Sequence, residues 1–197
     1  MFATLDQLKA ELQISGTSQD DRLTLLLAAA SSAIEAYCGR PFARATLTEQ
    51  ISPRGRQVVN LSLYPVTSMS SVTMGSYPVT DYQLDAESGQ LWRSTGWTWA
   101  ALTLPDITQD PDPNMADRNL TVSYTAGYIL PGSPGANLPA ALQYAAVRVA
   151  ATMYSRPAGF KSERTPGGYS YDVGDMSSIG FLGDVASLLD SYRAQGV

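Results

Sequence analysis

The chain has no histidine and a single cysteine, Cys38, among its 197 residues. Without histidine there is no Ser-His-Asp or Cys-His catalysis and no imidazole ligand for a metal. One cysteine closes no internal disulfide and builds no Cys-based zinc site. It stands beside Tyr37 near the end of an expected helix, where a buried and inert thiol is the expected state. Charge is also scarce, at 16% of residues, and 11 of the 13 basic residues are arginine, leaving two lysines. With 18 acidic residues the net charge is −5, and no basic run exists to release counterions from DNA. Tight DNA binding is therefore not expected, although the protein could sit beside DNA. No apolar run approaches the roughly 20 residues needed to span a bilayer. The opening MFATLDQLKAEL has no basic-then-apolar leader pattern. The expectation is a soluble protein made in a reducing cytoplasm, with no membrane association.

Known chemical signatures are missing as well. There is no Gly-Lys-Ser/Thr phosphate loop, no GxGxxG and no GxSxG nucleophile elbow. Asp110, Asp112 and Asn114 alternate like the start of a calcium loop, but Met115 occupies the glycine position and Thr121 the bidentate glutamate position. A solvated acidic loop is the better reading. Asp20 and Asp21 are explained by a helix start, and Asp172 and Asp175 have no motif around them. No catalytic residue, cofactor or metal site is expected. Trp92, Trp97 and Trp99 could form a sugar-stacking surface, but packing of a small sheet accounts for them more simply.

What is present is a helical frame interrupted by strands. Asp20 to Phe42 carries Leu23, Leu26, Leu27, Ala30, Ala33, Ile34 and Tyr37 at helical spacing, with Arg22, Thr24, Ser31, Ser32 and Glu35 mainly opposite. Ser18 is the expected N-cap, Asp20 and Asp21 suit the positive end of the helix dipole, and Gly39 and Pro41 end the helix. Its apolar face needs other helices to cover it. Three further segments can supply them: residues 4–13, with a Thr4/Gln7 capping box, residues 138–156 behind Pro139, and about 180–195. From about Ala45 the period changes to alternation. Val59/Leu61/Leu63, Val72/Met74, Tyr82/Leu84, Leu91-Trp92 and Leu120/Val122/Tyr124 read as short strands, with a hairpin at Asp85–Gly89. Residues 105–118 and 131–137 are rich in breakers and read as loops. Residues 157–178 have no period but carry Phe160, Tyr169 and Tyr171 among glycines. The expected class is α+β: a bundle of about four helices from residues 1–44 and 131–197, with an inserted antiparallel β-module over 45–130.

Along its whole length the sequence resembles the head-tail connector (adaptor) proteins of tailed double-stranded-DNA phages and related gene-transfer particles. The resemblance is carried, in order, by TLDQLKAEL, DDRLTLLLAAASSAIEAYCGRPF, LYPVTSMSSVT, DYQLDAESGQLW, LTVSYTAGY, LPAALQYAAVRVAATMY and LLDSYR. The β-segment between the second and third helices looks like the longer branch of that family. The resemblance implies a structural virion protein of the neck, assembled in the host cytoplasm. It would form a homo-oligomeric ring, twelvefold in most members, beneath the portal protein. The ring would continue the DNA channel and offer a platform to a stopper or tail-completion protein, while double-stranded DNA slides through without being gripped. A head-completion or tail-completion role is the nearest alternative, and a metal-dependent hydrolase or a carbohydrate module is remote. The residues expected to meet partners are Phe160, Lys161, Arg164, Tyr169 and Tyr171 in the aperiodic stretch, and Phe181, Leu182, Val185, Leu188, Leu189 and Tyr192 on one face of the last helix. That helix either projects into a partner's groove or folds back as the fourth member of the bundle.

Overall fold

The computed structural model describes residues 1–53, 55–75, 77–97, 119–155, 162–164, 170–172 and 183–194. In chain order the elements are α1 (Leu5–Leu12), α2 (Asp20–Cys38), β1 (Ala45–Ile51), β2 (Val58–Asn60), β3 (Val66–Met74), β4 (Tyr77–Pro78), β5 (Gln83–Asp85), β6 (Gln90–Trp92) and β7 (Leu120–Ala126). They are followed by α3 (Ala140–Ser155), β8 (Ser162–Arg164), β9 (Ser170–Asp172) and α4 (Gly183–Asp190). The chain divides into two compact units: Met1–Arg40 with Ile129–Ala194, and Pro41–Tyr128.

In the first unit α2 and α3 are the central pair, with α1 and α4 each packed on both of them. Leu23, Leu27 and Ile34 of α2 and Leu142 of α3 are fully buried. Each such side chain contributes about 1.5–3 kcal/mol by leaving water. Ala145, Ala146 and Ala150 are also fully buried, and their small side chains let α3 approach its neighbours closely. Ser31 departs from its expected polar side. It is buried because its hydroxyl donates to Leu27 O at 2.7 Å and accepts from the Phe2 N–H at 2.9 Å. That pair of bonds draws Phe2 into the core ahead of α1, where it is 2% exposed. The expected cap of α2 is also corrected. Ser18 is exposed and Gln19 is the N-cap without a side-chain bond, because the first turn is closed by the Asp20 N–H to Thr17 O and the Leu23 N–H to Gln19 O. At the other end Gly39 takes the left-handed conformation, φ 67°, and its N–H reaches Glu35 O. The Thr4/Gln7 capping box of α1 is formed in both directions.

The second unit is built on β7. Its burial alternates without a break, Leu120, Val122, Tyr124 and Ala126 inward and Thr121, Ser123 and Thr125 outward. It lies at the centre of an antiparallel sheet ordered β1-β7-β3-β4. A three-stranded antiparallel sheet, β2-β6-β5, supplies Val59, Leu91 and the partly buried Leu84 to the same core, and Tyr82 just before β5 lies beside Trp97. Trp97 is fully buried and its indole N–H points at Leu91 O, 3.4 Å away. The β5–β6 turn is held by Asp85, whose carboxylate accepts from the Ser88 hydroxyl at 2.7 Å and from the Glu87 N–H at 3.2 Å. Gly89 completes it at φ 68°, with Tyr64 so close that an added Cβ would sit 2.9 Å from the tyrosine Cβ. β1 and β4 had no individual sequence signature and emerge only from pairing. Leu61 and Leu63 are buried but lie beyond the end of β2.

Entry and exit of this unit are tied together. The Tyr128 N–H donates to Phe42 O and the Arg44 N–H to Tyr128 O, both at 2.8 Å. Gly127, at φ 91°, lies between them, and a Cβ there would meet Ala43 O at 2.8 Å and Phe42 O at 2.9 Å.

Two outcomes follow from this geometry. Gly127→Ala should lower the urea midpoint markedly more than Gly132→Ala, which shares a positive φ of 89° but has nothing within 4 Å. The open site should cost about 1–2 kcal/mol, the penalty of left-handed backbone for a residue with a Cβ, and the crowded one more; equal midpoints would contradict the close approach. Replacing residues 42–128 by three glycines should leave the helical circular-dichroism signal, since the bond between residues 42 and 128 means that the cut ends lie near each other and loop closure is weakly length-dependent. Loss of the helical signal would show that the two units fold only together.

Candidate functional site

The expected partner-binding residues fall into three groups. Phe160, Lys161, Tyr169, Phe181 and Leu182 lie outside the described residues, as do the Asp110/Asp112 loop and Trp99. Arg164 and Tyr171 lie on β8 and β9, which pair as a two-stranded antiparallel hairpin with Glu163 opposite Tyr171 and Arg164 opposite Ser170. The aperiodic reading of residues 157–178 is corrected to that extent. The strands escaped notice because three residues are too few for a period to show.

The C-terminal group belongs to α4. The projecting arrangement is not the one found: α4 folds back on α2 and α3. Val185 and Leu189 are 1% and 0% exposed and fill the helical core, while Leu188 and Tyr192 remain half-buried. Beyond the helix, the Ala194 N–H donates to Cys38 O at 2.7 Å and the Tyr37 hydroxyl donates to Asp190 at 2.8 Å. Arg193 lies over the Tyr37 ring, 5.5 Å from its centre. Helix α4 folds back because its stripe meets a ready groove in its own chain, so no partner is needed to cover Val185 and Leu189.

Cys38 lies beneath this contact. It is 2% exposed, and burial pushes its thiol from 9.0 up to about 11, against the opposing pull of Arg40 and Arg193. A pKa raised in this way keeps the thiol protonated and unreactive.

Among the described residues a few large apolar side chains are exposed. On the helical unit they are Met1, Leu25 at 69% and Tyr144 at 53% exposure. On the β-unit they are Val58, Tyr77 and Trp92. Val58, Trp92 and Gln83 stand in one cross-strand row on the outer side of the β2-β6-β5 sheet. Of the tryptophans, Trp97 is core and Trp92 is surface. Beside Tyr77 a shallow cavity of about 270 Å³ is lined by Met74, Pro78, Thr80, Asp81 and Arg93. Both Asp81 oxygens accept from Arg93 Nε, at 3.0 and 3.1 Å, and that bond holds the carboxyl below its ordinary range. Arg93 also reaches Gly96 O and lies 5.7 Å from the Trp97 ring centre. Its charge is thus spent on structure rather than offered to a ligand.

The four-stranded sheet has a different outer face. Thr46 bonds Thr125 and Thr48 bonds Ser123 through their hydroxyls, at 2.7 and 2.8 Å. Ser71 and Thr73 extend the row across β3. On the inner side Tyr124 donates to Glu49, which also accepts from the Ser62 hydroxyl and, at 3.3 Å, the Ser62 N–H. Burial and that carboxylate raise the Tyr124 phenol above its ordinary range. The arrangement leaves a polar, nearly uncharged face and no acid/base pair. Among the described residues no three His, Cys, Asp or Glu side chains converge as metal ligands. No helix there is long and apolar enough to cross a membrane.

Cys38 supplies a test of the α4 contact. The native protein at pH 8 should react slowly with a thiol reagent, and readily once unfolded. Since the folded thiol keeps its proton until about pH 11 and the unfolded one loses it near 9.0, stability should fall as pH rises through that window. Cys38→Ala should flatten the fall; fast native labelling would show that α4 does not cover the thiol.

A family model described as head completion protein matches residues 1–195. Two solved structures are similar in fold over 100% of this chain. One is a chain in the neck of an empty GTA particle computed with C6 symmetry, at 18% identity and TM-score 0.56, with 91% of that chain covered. The other is a chain in the virion of a native gene transfer agent particle, at 20% identity and TM-score 0.55, again with 91% covered. No curated protein matches the sequence.

Proposed function

Because the chain belongs to the head completion protein family, we propose that it is a structural protein of the virion neck. There it forms a ring beneath the portal protein and joins the DNA-filled head to a stopper or tail-completion protein. The observation that carries this reading is the extent of the match: the family pattern runs over residues 1–195, through the helical unit, the β-unit and α4 alike. The likeness to chains of gene transfer agent particles covers the same length and supports the same site of action. Sixfold symmetry in one of those necks supports a ring of six or twelve copies here. Assembly takes place in the host cytoplasm before the particle is complete.

The surface chemistry suits this work. A net charge of −5 and an uncharged Ser/Thr face let DNA pass without holding it. The partner contacts come from the exposed apolar residues Leu25, Tyr144, Tyr77 and Trp92, together with Leu188 and Tyr192 beside α4's core positions. No catalytic step is assigned to the chain.

Particles made without this protein should accumulate as heads that lose their DNA and carry no tails, and the protein supplied in trans should restore tailed particles. Cryo-electron microscopy should find its density between portal and tail. Normal tailed particles in its absence would refute the reading. The free protein should bind double-stranded DNA no tighter than about micromolar at physiological salt, the range of non-specific contacts; submicromolar affinity would argue for a DNA-gripping role instead.

A further inference from the structure

β1 is a long sheet edge with a single guard, the inward-facing Glu49. Its seven residues, ATLTEQI, bond β7 on one side, and among the described residues no other segment pairs with their backbone. Edge strands are normally blunted by lysine, proline, shortness, a bulge, an inward-pointing charge or a covering segment, because their free N–H and C=O groups recruit other strands. The opposite edge of the same sheet follows that rule: β4 has two residues and one is Pro78. The three-stranded sheet follows it as well, with edge strands β2 and β5 of three residues each. β1 has no lysine or proline and runs in unbroken register from Ala45↔Ala126 to Ile51↔Leu120. Its one charge, Glu49, is engaged by Tyr124 and Ser62.

The same chain carries a ribbon in the complementary condition. β8 and β9 form a sheet of two strands, and among the described residues each pairs only with the other. An isolated two-stranded hairpin is marginal in water and gains stability from a third strand. Within one chain β1 and the hairpin remain in separate sheets.

We propose that the β8–β9 hairpin of one copy adds to the β1 edge of the next, extending that neighbour's four-stranded sheet. The contact is heterologous, since the edge is on one copy and the ribbon on the other, and repeated contacts of that kind close into a ring when the rotation between copies divides a full turn. Main-chain bonds supply the attachment, as in other strand additions, so the joint tolerates varied side chains. The inference rests on the ring reading above and specifies which parts of the chain join its copies.

The test uses the full-length protein, alone and assembled with portal, with Cys38→Ala as background. Thr48→Cys on β1 and Ser170→Cys on β9 together should give a ladder of multimers with a short bis-maleimide, whereas each single substitution should give at most dimers. Replacing residues 162–172 by a Gly/Ser linker should reduce ring formation at least tenfold by native mass spectrometry, while the melting temperature of the free chain stays unchanged. Rings that form normally without the hairpin, or a crosslink confined to one chain, would overturn the strand addition and leave the ring reading standing. A native chain that stays monomeric even with portal would overturn both.

Discussion

The constraint on which the rest depends is the tie between residues 42–44 and 127–128. Two main-chain bonds of 2.8 Å join the strand that enters the β-unit to the strand that leaves it. Gly127 permits this because a side chain there would collide with the carbonyls of Phe42 and Ala43. The chain therefore leaves its helices after Arg40 and returns to them at Ile129 from almost the same place. The contact there is an isolated parallel bridge, Ala43 with Tyr128, and just beyond it β1 and β7 pair antiparallel from Ala45 and Ala126.

That register explains both surfaces of the sheet. Alternation in β7 places Tyr124 inward and Ser123 and Thr125 outward. Opposite them, β1 must present Glu49 inward and Thr46 and Thr48 outward. An inward carboxylate is tolerable only with donors, and Tyr124 and Ser62 provide them. The outward side becomes a row of mutually bonded hydroxyls. A protein with so few charges thus keeps a polar face built from hydroxyls rather than from charged side chains.

The helical unit solves a different problem. Helices α1 and α4 have eight residues each, too few to persist alone, and depend on packing against α2 and α3. Burial of Val185 and Leu189 shows that α4 completes this core. Among the described residues, the surface keeps a scatter of exposed apolar side chains, a two-stranded hairpin and the free edge of β1.

The sequence by itself determined the helices and the central strand. Helical spacing marked Leu23, Leu27, Ala30 and Ile34, Gly39 marked the end of α2, and strict alternation marked β7. These signals are local, because a period or a cap depends only on residues a few positions apart. The ordered run of motifs also carried the family resemblance. Only the tertiary structure decided that Ser31 is buried, since its second partner, Phe2, is 29 residues away in sequence. Only the tertiary structure decided that Thr17 O, not Ser18, serves the start of α2, and that α4 turns inward. The pattern of α4 was plain, but an apolar stripe states that something must cover it and is silent on whether that cover is its own chain or another. β1 was invisible for a related reason: ATLTEQI is weakly apolar, and its strand character comes from β7, about 75 residues downstream.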